Sequence, residues 1–228
     1  MGTFKRFAVY IVPEGVLYRQ GCAWLGWDMK TACDTPQPDI PGLPAAVSDL
    51  TAAPRRYGFH GTVKPPFRLA PGQDLAGLDT ALDDLAKRSA AVECSPLEVR
   101  ALRGFVALVP GRPCPALAAL ADRVVRELEP WRAAPDPDEL ARRRRNGLTP
   151  RQESLLACWG YPYVMDEFRF HLTLTGKLSE ARTDQAARVL AAHFADVLAG
   201  PFPVGSLCLV GEAEDGRFHL IRRAPLTG

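Results

Sequence analysis

Phe59-His60-Gly61-Thr62 and Phe170-His171-Leu172-Thr173 are two copies of one short pattern, and between them they hold two of the four histidines in the 228-residue chain. Each copy reads as a half-buried strand, because successive strand side chains point to opposite faces. In the second, Phe170, Leu172 and Leu174 fall on one face while Arg169, His171, Thr173 and Thr175 fall on the other. In the first, Phe59 and Val63 take the apolar side and His60, Thr62 and Lys64 the opposite one, with Gly61 allowing close backbone approach. Two equivalent strands therefore offer the same pair of groups, an imidazole and a hydroxyl two residues further on.

That pair suits phosphate ester chemistry. In-line displacement at phosphorus needs one group to take a proton from the attacking oxygen and another to protonate the departing oxygen on the far side. Two imidazoles do both, since an unperturbed histidine titrates near pH 6.5 and either form is available around neutrality. The threonine hydroxyls would hold non-bridging phosphate oxygens and stabilise charge in the transition state. A single His-x-Thr on a strand is common by chance and is usually a surface or hydrogen-bonded core histidine. The repetition decides otherwise here: both copies follow an aromatic residue, both continue in alternation, and both are followed by a lysine, Lys64 or Lys177. His193, in a helical pattern, and His219, in a late strand, lack this context and read as structural or exposed.

On these motifs the chain resembles the two-histidine (2H) phosphoesterase superfamily. The longer segments Arg56-Tyr57-Gly58-Phe59-His60-Gly61-Thr62-Val63-Lys64-Pro65-Pro66-Phe67-Arg68-Leu69 and Trp159-Gly160-Tyr161-Pro162-Tyr163-Val164-Met165-Asp166-Glu167-Phe168-Arg169-Phe170-His171 are similar to its DUF1045-like branch of phosphonate metabolism proteins. The resemblance covers nearly the whole chain. It implies an α+β, bilobal fold, with two pseudo-symmetric antiparallel sheets flanked by helices around a central cleft and one His-x-Thr strand from each lobe. It implies a single catalytic domain over residues 1–228, with a helical insertion near residues 136–158. It also implies metal-independent hydrolysis of a small cyclic phosphate by His60, Thr62, His171 and Thr173. His171 is provisionally the base that activates water and His60 the acid that protonates the leaving alkoxide, roles that could be exchanged. The branch context points to a phosphorylated ribose 1,2-cyclic phosphate, whose second phosphate would meet Lys64, Arg169, Arg56, Tyr10 or Tyr163.

Composition agrees with an ordinary globular protein: 47% hydrophobic and 24% charged residues leave no sign of wholesale disorder. The 28 basic and 26 acidic residues are too balanced for a long electrostatic track along duplex nucleic acid. A small anionic ester needs only local positive charge. Cys22, Cys33, Cys94, Cys114, Cys158 and Cys208 are scattered, with no Cys-x-x-Cys pair and no histidine at a zinc spacing, so neither a metal nor another cofactor is expected. The apolar run Phe7 to Val12 is too short for a signal peptide or membrane span, and a reduced, cytoplasmic protein is expected, with no obligate protein partner.

Along the chain, a strand is predicted over Phe4 to Val12, with Tyr10 reaching the cleft, and a proline-rich loop over Thr35 to Pro44. Leu75, Leu78, Leu82 and Leu85 predict a helix capped by Asp74. Strands follow at Leu97 to Arg103 and Phe105 to Val109, the second ending at a proline as the first strand does, which makes a weak internal repeat. Leu117, Leu120, Val124 and Leu128 predict another helix. Asp136 to Arg145 predicts one stopped at Asn146-Gly147, and Thr149-Pro150-Arg151-Gln152 opens the next with a capping box. Ser179 caps a later helix, and strands at Val204 to Val210 and Arg217 to Ile221 close the chain. The run Arg142 to Arg145 spreads around its helix and reads mainly as a solvated face, with one or two members free to approach a phosphate.

Two rival readings share these residues. A nucleotide or RNA-end 2′,3′-cyclic phosphodiesterase would use the same chemistry while stacking a base on Trp159, Tyr161 or Tyr163. A noncatalytic phosphate or RNA-end binding module would keep the cleft without turnover.

Overall fold

The computed structural model describes residues 4–145 and 147–228. Its elements are β1 (Arg6–Ile11), α1 (Gly15–Leu25), β2 (Trp27–Asp28), β3 (Cys33–Asp34), α2 (Val47–Arg55), β4 (Gly61–Phe67), α3 (Leu75–Lys87), β5 (Val92–Cys94), β6 (Leu97–Leu102), β7 (Phe105–Pro110), α4 (Pro115–Glu127), α5 (Pro137–Arg144), α6 (Pro150–Trp159), β8 (Leu172–Thr173), α7 (Glu180–Phe194), β9 (Phe202–Val204), β10 (Ser206–Glu212) and β11 (Phe218–Pro225). The fold is α+β. Seven strands form one antiparallel sheet in the order β11-β10-β1-β4-β8-β7-β6, and two small ribbons pair β2 with β3 and β5 with β9.

The two motifs meet at the middle of that sheet. Four strands carry the first motif and three the second, and the halves join through the single pair Gly61–Leu172. Outward from this seam the order is symmetric: β4 is flanked by β1 and β8 by β7, the two strands that end in an apolar run and a proline. Gly61 is what allows the halves to close. A Cβ there would stand 2.2 Å from the Phe170 ring, which packs beneath the seam on the apolar face.

Apolar residues dictate the layers. α3 packs on β10 and β11, α4 on β4, and α7 on β6 and β7. Leu78, Leu82 and Leu85 of α3 and Leu117, Ala121 and Val124 of α4 are buried at the helical period expected of a stripe facing a sheet. Trp24 of α1 ties the first half to the second by donating its indole N–H to the Leu174 carbonyl at 2.7 Å.

Local chemistry starts several helices as the sequence predicts. Asp74 accepts the Gly77 N–H at 2.8 Å and Asp136 the Glu139 N–H at 2.7 Å. Thr149 and Gln152 exchange both bonds of a capping box. Ser179 stands at the N-cap of α7 without a side-chain cap bond. Of the expected stop at Asn146-Gly147, Asn146 lies outside the described residues, while Gly147 takes φ 73 in the left-handed region. The 35–44 stretch carries neither helix nor strand, whereas α1, α2 and the two ribbons had no counterpart in the sequence reading. No helix among the described residues is long and apolar enough to cross a membrane.

Candidate active site

The antiparallel register at the seam carries His60 opposite Thr173 and Thr62 opposite His171, one step to either side of Gly61–Leu172. All four side chains therefore lie on the sheet face away from Phe170. Each imidazole is held in the same way. Gly58, at φ 71, turns the chain so that its carbonyl accepts a bond from His60 Nδ1 at 3.0 Å, and the Arg169 carbonyl accepts one from His171 Nδ1 at 2.8 Å. A carbonyl only accepts, so each ring carries a proton on Nδ1, and in a neutral His60 the lone pair then sits on Nε2. Thr62 donates its hydroxyl to His60 Nε2 at 3.1 Å.

His60 rests neutral. Burial pushes its pKa down to about 4; the charge of His171 acts in the same direction, and the Gly58 carbonyl opposes. Its ring is stacked on that of Tyr10, centroids 3.6 Å apart. A recess of about 290 Å³ opens in front of it, lined by His60, Tyr57, Phe105, Thr173 and Lys177 among others. His171 does not line that recess. It opens on the adjoining groove with Arg100, Phe168 and Arg169, and its ring lies 5.7 Å from that of Phe105, which belongs to the recess.

The five expected substrate contacts fall in different places. Lys64 does not share the face of His60. β4 slips against β1, with Thr62 opposite Tyr10 but Lys64 opposite Val9, so an extra residue in β4 turns Lys64 to the other side of the sheet. There it is buried, donating to Glu129 at 3.0 Å and to the Val125 carbonyl at 3.1 Å. Tyr10 is on the predicted face but 1% exposed, a platform beneath His60. Arg56 lies over the Tyr57 ring at 4.5 Å, with the Tyr57 hydroxyl also bonded to its guanidinium. Tyr163 is exposed and meets Tyr161 edge-on, centroids 5.6 Å apart. Arg169 donates to the carbonyls of Asp166 and Phe168 at 2.8 and 2.7 Å.

Sequence reasoning missed Phe105 as a wall of the site and Arg100 as a neighbour of His171. Nothing local in the sequence marks either: Arg100 pairs with Ala107 and Ala107 with Thr173, a register that only the folded sheet sets. His193 and His219, read as structural, lie against aromatic rings, His193 beside Trp24 and Phe194 and His219 edge-on to Trp27.

Known proteins resemble this chain at several levels. A protein named ribose 1,5-bisphosphate phosphokinase PhnN from Janthinobacterium sp. (strain Marseille) is 36% identical over 234 residues, covering 99% of this chain and 52% of that protein. One of the same name from Laribacter hongkongensis (strain HLHK9) is 37% identical over 220 residues, covering 95% and 51%. The chain thus spans about half the length of the curated relatives it matches. Among solved structures, E. coli LigT complexed with 3′-AMP aligns over 99% of this chain and 100% of that one, at 18% identity and a TM-score of 0.46. The family described as "Protein of unknown function (DUF1045)" matches residues 62–219, well over half of the sequence, and the chain belongs to that family.

Proposed function

We propose that this chain is a two-histidine cyclic phosphodiesterase that opens a small cyclic phosphate to a phosphomonoester without a metal ion. The observation that carries the reading is the crossed pairing at the seam, each histidine opposite the other motif's threonine, with both imidazoles held through Nδ1. A phosphate seated at the seam, where Phe105 separates the recess of His60 from the groove of His171, would meet a proton acceptor from one and a proton donor from the other, with a hydroxyl beside each.

The resting state of His60 favours an exchange of the provisional roles. A base must begin neutral, and burial keeps His60 neutral with its lone pair on Nε2. His60 Nε2 takes a proton from water as the water oxygen bonds to phosphorus. His171 Nε2, protonated in the working state, gives its proton to the alkoxide as the ring P–O bond breaks. Thr62 turns from His60 to a non-bridging oxygen, Thr173 donates to the other, and Lys177 adds positive charge. The Gly58 and Arg169 carbonyls stabilise each imidazolium through its Nδ1–H.

The substrate we favour is ribose 1,2-cyclic phosphate bearing a 5-phosphate. Cleaving its bond from phosphorus to O2 yields ribose 1,5-bisphosphate, the compound in the name of the PhnN relatives, of which this chain matches about half. A nucleoside or RNA-end 2′,3′-cyclic phosphate is the second reading, favoured by Tyr163, which is 47% exposed and free to stack on a base. EDTA-treated protein should hydrolyse the phosphoribosyl substrate, with ribose 1,5-bisphosphate as product by phosphorus NMR. Hydrolysis confined to nucleoside cyclic phosphates would select the second reading, and no hydrolysis of either class would end both.

A further inference from the structure

Beside the histidine recess lies a second one, of about 500 Å³, lined by Arg6, Arg56, Tyr57, Arg68, Asp136, Glu139, Arg142 and Arg143. Five guanidinium groups thus face two carboxylates. A third carboxylate, Glu212, backs Arg6 in a two-pronged bond at 2.5 and 2.9 Å, and Asp136 is occupied by Arg68 and by capping α5. Positive charge gathered in a concave wall focuses the field on an anion, and the planar guanidinium fork matches phosphate oxygens in pairs. The helix α5 closes one side of the recess. Here Asp136 and Pro137 start that helix, and Arg143 is braced 4.5 Å over the Tyr161 ring.

The recess is joined to the chemistry. Tyr57 lines both recesses, and its ring lies 6.4 Å from that of His60. Arg6 and Tyr10 share one face of β1, four residues or about 13 Å apart along the strand, and Tyr10 carries His60 on its ring.

We propose that the recess formed by Arg6, Arg56, Arg68, Arg142 and Arg143 binds a phosphomonoester carried by the substrate, across a sugar from the cyclic phosphate at the histidines. The ligand class is a bis-phosphorylated sugar, either free or as a nucleoside 2′,3′-cyclic phosphate with a 5′-phosphate. The inference rests on the cyclic phosphodiesterase reading and adds to it the determinant of substrate choice.

The test compares kcat/KM for each cyclic phosphate with and without its phosphomonoester, in native protein and in Arg142→Gln, Arg56→Gln and Arg144→Gln. Arg144 pairs with Glu153 and lies outside the recess. Native protein should prefer the phosphorylated member by roughly 10- to 100-fold, the range of charge-assisted hydrogen bonds. Arg142→Gln and Arg56→Gln should each cut that preference by about tenfold, and Arg144→Gln should keep it. The free-sugar and nucleoside arms show which source is read. Indifference of native protein to the phosphomonoester, or an unchanged preference in both recess variants, overturns the proposal. So does tighter use of a cyclic-phosphate oligonucleotide lacking a 5′-phosphate, which would make the recess a track for a nucleic-acid backbone. A second measurement needs no turnover: ribose 5-phosphate binding by calorimetry, weakened about tenfold in Arg142→Gln. Weakened binding in that variant with no hydrolysis of any cyclic phosphate upholds the recess and overturns the reaction.

Discussion

Tyr10 lies flat on His60, with ring centroids 3.6 Å apart and planes 18° from parallel. The contact seals one side of the imidazole from water, and the cost of charging a desolvated ring holds His60 near pKa 4. For a base this fixes the pH profile. The active form is neutral, so kcat/KM should hold as pH falls to about 5 and drop with unit slope below about 4. Tyr10→Ala should readmit water and move that limb up towards the ordinary value of about 6.5. A native acid limb already near 6.5 would assign the base role to another group.

His60→Ala and His171→Ala should each lower kcat by roughly 10² to 10⁴-fold, the range of a positioned acid or base. Circular dichroism should show both variants folded, because the ring bonds, His60 to the Gly58 carbonyl and Thr62 hydroxyl and His171 to the Arg169 carbonyl, reach only two residues along the chain. Near-native turnover in either would remove that residue from the mechanism.

Thr62→Val and Thr173→Val test the hydroxyls separately. If each donor is aimed at charge that grows in the transition state, kcat falls while KM stays nearly constant. A rise in KM with kcat unchanged would make the threonine a simple binding group.

Gly61→Ala should damage the seam. The new methyl stands 2.2 Å from the Phe170 ring, so the ring or the β4–β8 pair must move, at about 1–3 kcal/mol of stability. The second substitution Phe170→Ala removes the obstacle and should restore part of the lost turnover in the Gly61→Ala background. A fully stable, fully active Gly61→Ala protein would show that the strands tolerate a wider spacing.

What could be read from the sequence was what neighbouring residues determine. The caps at Asp74, Asp136 and Thr149 are local chemistry, and the structure makes each bond. The shared face of the His-x-Thr pairs follows from strand alternation, which survives at Gly61–Leu172. It fails two residues on, because the slip of β4 against β1 turns Lys64 over, and a bulge is set by the partner strand as much as by its own residues. The arginine recess was legible only in pieces, Arg56 and the run Arg142 to Arg145, and for another reason. Arg6, Arg56, Arg68 and Arg142 come from four separate stretches, and only the folding of α5 over the first half gathers them.

Lys64 gives the last prediction, since its displacement from the site turns a substrate contact into a stability element. Its side chain is 2% exposed and bonded to Glu129, which is 22% exposed and also holds Arg132. Burial lowers the Lys64 pKa, and the charge and hydrogen bond of Glu129 oppose that. Glu129→Gln should therefore destabilise the fold by about 3 kcal/mol near neutral pH, since it leaves a buried ammonium without its counter-charge. The unfolded chain binds the lysine proton more tightly than the folded one, so stability should rise with pH up to about 10.5, and more steeply in the variant. The penalty of Glu129→Gln measured by urea unfolding should be larger at pH 6 than at pH 9. Lys64→Met combined with Glu129→Gln should cost less than the two changes taken separately. Lys64→Met alone should lower stability while sparing the preference for a phosphorylated substrate; loss of that preference in a folded Lys64→Met protein would return the lysine to the binding site.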